Sequence, residues 1–154
     1  MSAKEFTKQD ITNFLTSPWF AFVGATDNNR KFGYSAFRTL KAKGIRLEAV
    51  NPNYKTVDGQ ECYPSLAYVP ELPTAVISMV PREQTLKVVQ EAFQLGIRKI
   101  WIQMDSDSPE AIVFCREHGI KAIIGECILM HAQPVTSFHG VHRWFSKVFG
   151  KMPK

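Results

Sequence analysis

Two short clusters of residues have the types and spacing to hold a phosphorylated nucleoside. The first is Gly24-Ala25-Thr26, followed closely by Arg30, Lys31 and Gly33. A phosphate is held by backbone N–H donors at close approach, best where a helix N-terminus points at it. Gly24 permits the approach, Thr26 offers a hydroxyl, and Arg30 and Lys31 bring positive charge. Gly33 lets a helix open with no side chain in the way. The same stretch also reads as an ordinary strand-to-helix connection with a solvated Asp27-Asn28-Asn29-Arg30-Lys31 tip.

The second cluster is Asn51-Pro52-Asn53-Tyr54-Lys55. A site for NAD places Asp or Glu here, at the end of a second strand, to bond the ribose 2′-hydroxyl. Asn51 bonds a ribose or a phosphate without repelling it. Pro52 and Tyr54 can flank an adenine ring, and Lys55 can neutralise a phosphate on the ribose. NADP would tolerate the same turn. Against a nicotinamide cofactor stands the missing G-x-G-x-x-G fingerprint. A third turn, Val80-Pro81, ends another strand and can wall the ligand. Arg82 beside it serves equally as a solvated first-turn residue.

The elements that must position these turns are legible in the spacing. A junction recurs as Gly44-Ile45-Arg46, Gly96-Ile97-Arg98 and Gly119-Ile120-Lys121. Each has glycine where a helix ends and an apolar strand begins. Helical stripes precede them: Tyr34, Phe37 and Leu40; Leu86, Val89 and Phe93; Ala111, Ile112 and Cys115. The strand candidates are residues 21–24, 47–50, 75–80, 99–103 and 122–124. Their near-continuous apolar content suits a parallel sheet buried on both faces. The expectation is an α/β, Rossmann-like, doubly wound parallel five-stranded sheet with helices on both faces, in spatial order 3-2-1-4-5. Residues 56–73, punctuated by Asp58-Gly59, Pro64, Pro70 and Pro73, read as loop. Thr7 with Asp10 reads as a capping box, Phe6 with Ile11 as a hydrophobic staple, and Ser108-Pro109-Glu110 as another helix start.

The 154 residues suit one domain, here 1–137, with a tail at 138–154. In the tail, Val141, Trp144, Phe145, Val148 and Phe149 keep helical spacing, with Arg143, Lys147 and Lys151 on other faces. A C-terminal basic amphipathic helix is expected there. It would dock on its own domain, pair a homodimer, or lie on a membrane surface as a peripheral interaction module. No apolar run approaches the ~20 residues of a membrane span, and the N-terminus lacks a signal-peptide core. A cytoplasmic protein with reduced thiols is the reading, because Cys62, Cys115 and Cys127 are few and scattered. The net charge of +5 favours an anionic partner. Arg46, Arg98, Lys99 and Lys121 belong at the opposite, amino edge of the sheet. No groove-reading element with interleaved aromatics supports nucleic-acid binding. Cys127, His131, His139 and His142 have zinc-ligand types, but a proline-containing segment divides the pairs, and no metal is expected. Cys127, just past the last strand, should face the ligand edge. No base–nucleophile pair marks a catalytic residue.

Taken together and in order, Val23-Gly24-Ala25-Thr26, Arg30, Gly33, Val50-Asn51-Pro52, Gly59-Gln60 and Cys62-Tyr63-Pro64-Ser65-Leu66 closely resemble the small CoA-binding-domain proteins. These in turn are similar to the nucleotide-binding domain of the succinyl-CoA synthetase alpha subunit. Trp101-Ile102-Gln103 and Glu126-Cys127 fall where that family has later motifs. The chain departs from the pattern where Met104-Asp105-Ser106 stands in place of an early glycine. The resemblance implies a Rossmann-like fold and non-covalent binding of CoA or an acyl-CoA, in a sensor, carrier or regulatory role. CoA carries a ribose 3′-phosphate and a pyrophosphate, which suits a second turn without an acid. An NADP-linked or acyl-CoA-using enzyme is the alternative.

Overall fold

A computed structural model describes residues 6–132. The basic tail at 138–154, with His139 and His142, lies outside the described residues. The elements are α1 (Lys8–Leu15), β1 (Phe20–Val23), α2 (Phe32–Ala42), β2 (Leu47–Val50), β3 (Thr56–Val57), β4 (Gln60–Tyr63), β5 (Ala75–Ser78), α3 (Arg82–Gln94), β6 (Lys99–Gln103), α4 (Pro109–Glu117) and β7 (Ile123–Glu126). Short 3₁₀ turns lie at Leu66–Tyr68 and Ile128–Met130. The chain begins its first helix as the sequence suggests: Thr7 and Asp10 form a reciprocal capping box.

The strands form one seven-stranded sheet in the order β3-β4-β2-β1-β5-β6-β7. Every pairing is parallel except β3 with β4. All five expected strands are present, but the sheet is wider than five and the expected order is corrected. The strand at Ala75–Ser78 pairs with β1, Phe20 opposite Ala75 and Val23 opposite Ser78, and not at the far edge. The place outside β2 belongs to β4, inside the stretch read as loop. The cause is the Asp58-Gly59 pair. Both residues have positive φ, 53° and 76°, which closes a two-residue hairpin between β3 and β4. Val57 and Cys62 are buried, so the hairpin covers the edge of β2.

Alternate strand residues feed two cores, as a sheet covered on both faces requires. Phe20, Phe22, Leu47, Ala49, Ile77 and Trp101 face α1 and α2, where Phe14, Phe37 and Leu40 meet them. Ala21, Val23, Val50, Val76, Ile100 and Ile102 face α3 and α4, against Val89, Ala92, Ala111 and Cys115. All the parallel strands point one way, so the turns after β1, β2, β5, β6 and β7 share one edge.

Among the described residues no helix is long and apolar enough to cross a membrane.

Candidate functional site

A cleft of about 1450 Å³ opens along that carboxyl edge. Of the residues singled out in the sequence, Gly24, Thr26, Lys31, Asn51, Pro52, Tyr54, Val80 and Pro81 line it. Ala25 is fully buried beneath the first turn. Arg30 and Lys55 are exposed and stand outside the lining residues. Arg82 faces Asp107 at 4.0 Å and likewise leaves the cleft wall.

The first turn is built by close backbone contact. Gly24 donates its N–H to the Val50 carbonyl at 2.9 Å, and Met79 donates to Val23 at 2.8 Å. A Cβ at Gly24 would stand 2.4 Å from the Met79 carbonyl oxygen, and its φ is +102°. A Cβ at Gly33 would stand 2.9 Å from the Gly24 carbonyl oxygen. The two glycines thus let β1, β5 and the start of α2 meet. The need for glycine comes first from the protein's own backbone.

The polar residues of both turns tie the turns to each other. The Thr26 hydroxyl, 3% exposed as a residue, donates to the Tyr54 hydroxyl oxygen at 2.8 Å. It also accepts from the Asn28 N–H at 3.0 Å. Asn51 donates from its amide nitrogen to the Ala25 carbonyl at 2.8 Å and accepts from the Asn53 N–H at 2.9 Å. Cys62 donates from Sγ to the Asn51 carbonyl at 3.6 Å.

The loop tip, exposed from Asp27 to Lys31, is anchored by a residue that the sequence does not single out. Arg38 on α2 bonds Asp27 at 2.5 Å and the Thr26 carbonyl at 3.3 Å, and its guanidinium covers the Tyr34 ring at 3.7 Å. Asp27 also accepts from the Asp58 N–H of the hairpin at 2.9 Å. That backbone bond, then Arg38, holds the Asp27 carboxyl below its usual range. The i, i+4 spacing of Tyr34 and Arg38 was the available signal.

These braces leave the start of α2 unobstructed. Lys31 is its N-cap and makes no side-chain cap bond, and its first turn holds no acid. Pro81, the N-cap of α3, makes none either. The first N–H groups of a helix have no partner within it, and the dipole there is positive. Lys31, Phe32 and Gly33 line the cleft at this point. By contrast, Ser108 accepts from the Ala111 N–H at 3.1 Å and caps α4.

Along α3 the wall continues through Gln84, Lys87, Gln90, Glu91 and Gln94, facing Pro64 and Ser65. Glu91 accepts from the Leu66 and Ala67 N–H groups at 3.3 and 3.4 Å. At the β6–β7 end the lining is Gln103, Met104, Asp105, Ser106 and Cys127. Here β7 carries one extra residue, Gly125, between partners Ile124 and Glu126, which re-aims the strand end. Among the described residues no group of three His, Cys, Asp or Glu could hold a metal ion.

The chain resembles known proteins across this whole edge. Over 120 residues it is 26% identical to the ADP-forming acetate–CoA ligase I of Archaeoglobus fulgidus, covering 71% of this chain and 18% of that protein. Over 126 residues it is 22% identical to the alpha subunit of ADP-forming acetate–CoA ligase II from Pyrococcus furiosus, covering 75% and 28%. The chain therefore spans less than a third of the length of these curated relatives. Among solved structures, a conserved hypothetical protein of Pyrococcus furiosus is 34% identical, with a TM-score of 0.68, covering 71% of this chain and 95% of that one. A hypothetical protein of Pyrococcus horikoshii is 26% identical, with a TM-score of 0.76, covering 83% and 92%. Residues 19–133 match the family model described as a CoA binding domain, a span that runs from β1 past β7 and takes in every turn of the cleft. The chain belongs to the CoA-binding domain family.

Proposed function

We propose that this protein binds CoA or an acyl-CoA non-covalently in the carboxyl-edge cleft, as a sensor, carrier or regulatory component. The observation that carries the reading is the uncapped start of α2, opening onto the cleft between two glycines that the backbone itself requires. The pyrophosphate would take the free N–H groups there, with Lys31 as counter-charge. Pro52, Tyr54, Val80 and Pro81 would shape the adenosine pocket. Asn51 and Thr26 would act by holding the two turns together, because their side chains are already bonded within the protein. Arg30 and Lys55, long and exposed at the rim, would supply charge from outside the wall, Lys55 towards the ribose 3′-phosphate.

Calorimetry with CoA, dephospho-CoA, NAD and NADP tests this. CoA should bind, with dephospho-CoA several-fold weaker and NAD weaker still. Absence of heat with millimolar CoA would remove the proposal. Equal binding of CoA and dephospho-CoA would remove the role given to Lys55.

A further inference from the structure

The cleft is not uniform along its length. Between the ends of β2 and β7 lie four strand-to-strand steps, about 19 Å at the usual spacing. The cationic side chains that line the cleft, Lys31 and Lys87, stand on α2 and α3. The lining of the β6–β7 end holds no cation, and its one ionisable acid is Asp105. A phosphate placed there would meet no positive side chain. The phosphates therefore belong nearer β1 and β2, and the uncharged end of the ligand is left facing β6 and β7.

That end has two features of its own. Met104 is a large apolar residue exposed to 46%, and it lines the cleft. Of the other exposed large apolar side chains among the described residues, Phe32 lines the cleft beside Lys31 at the start of α2, and Tyr68, Leu72 and Val113 lie outside it. Gln103, the second feature, is 3% exposed and lines the cleft. Its Oε1 accepts from the Ile128 N–H at 3.1 Å, which fixes the orientation of the amide. Its Nε2 makes no hydrogen bond among the described residues, and it is not one of the fully enclosed orphan atoms. A largely buried amide with one end pinned thus presents its unused donor to the open cleft.

We propose that the β6–β7 end holds the thioester of an acyl-CoA, with Gln103 Nε2 donating to the thioester carbonyl and Met104 covering the first methylenes of the acyl chain. This rests on the reading of the cleft as a CoA site. Free CoA leaves Met104 wet; an acyl chain of several carbons removes it from water. The cleft therefore favours an acylated over a free ligand.

The test is the ratio of dissociation constants for CoA and octanoyl-CoA, measured by calorimetry on the full chain, with octanoate alone as the control for loose apolar binding. Octanoyl-CoA should bind at least tenfold tighter than CoA, and octanoate should show no binding. Met104→Ser, at an exposed position where folding is not at stake, should cut the ratio at least threefold. Gln103→Glu keeps the acceptor for Ile128 and removes the donor, and should also lower the ratio. CoA bound as tightly as octanoyl-CoA overturns this inference while leaving the parent reading intact. A ratio unmoved by Met104→Ser and Gln103→Glu overturns it as well. Binding of neither ligand overturns both.

Discussion

At the scale of single residues, the polar groups that look free in the sequence are mostly spent inside the protein. Thr26, Asn51 and Asp27 have the types a nucleotide site uses, yet each bonds another segment of the chain. Residue type is legible in sequence; which hydrogen bond it has already made is not. Gln103 is the converse: the sequence offers it only within the Trp101-Ile102-Gln103 stretch, and its burial and single bond become visible in three dimensions. Glycine gives the sharpest residue-level prediction. Gly24 and Gly96 both have positive φ, but a Cβ at Gly96 meets open space while one at Gly24 strikes the Met79 carbonyl. Gly96→Ala should cost about 1–2 kcal/mol, the left-handed penalty alone. Gly24→Ala adds a backbone clash and should cost about 3 kcal/mol or more. Urea unfolding midpoints compare them, and equal losses would contradict the packing role given to Gly24.

At the scale of elements, the helix-to-strand junctions were legible because a Gly-Ile step ends a period-3.6 stripe and starts an apolar run. The hairpin was not, because β3 is two residues long and β4 buries one residue in four, too little for an alternation signal. Asp58-Gly59 was the usable cue, and reading it as punctuation displaced the third strand and with it the sheet order. Helix starts divide by purpose. Ser108 closes α4 with a side-chain bond, whereas Lys31 opens α2 without one. Removing the first should therefore affect stability, and changing the second should affect ligand binding. Ser108→Ala should lower stability by about 1 kcal/mol and leave CoA affinity within twofold. Lys31→Glu should weaken CoA binding about tenfold or more and shift the unfolding midpoint little. Paired thermal-shift and calorimetric measurements on the two variants separate the roles, and a Lys31→Glu protein that binds CoA normally would move the phosphates away from α2.

At the scale of the whole molecule, burial shifts a lysine and two thiols, and the lysine and the thiols act on stability in opposite directions. On the α2 face, Lys43 is buried at the helix C-cap, with Nζ donating to the Ala132 carbonyl. Burial pulls its pKa from the ordinary 10.5 down to about 8. On the other face, burial pushes the Cys115 thiol up to about 11 from 9.0. Above pH 8 the folded state has released the Lys43 proton while the unfolded chain still holds it. The unfolded state then binds more protons, so stability rises with pH. Between pH 9 and 11 the unfolded chain loses the Cys115 proton first, and stability falls through that group. From pH 8 to 9 Lys43 contributes a gain of up to about 1 kcal/mol, set against the smaller first part of the loss through Cys115 and Cys62, which burial also raises. Guanidinium midpoints should rise over that interval in the native sequence and be level or fall slightly in Lys43→Met. In Cys115→Ala the rise should persist further into alkali. A native profile that is level or descending from pH 8 to 9 would mean that Lys43 keeps its proton, held by the carbonyl-rich end of α2 more strongly than burial disfavours it.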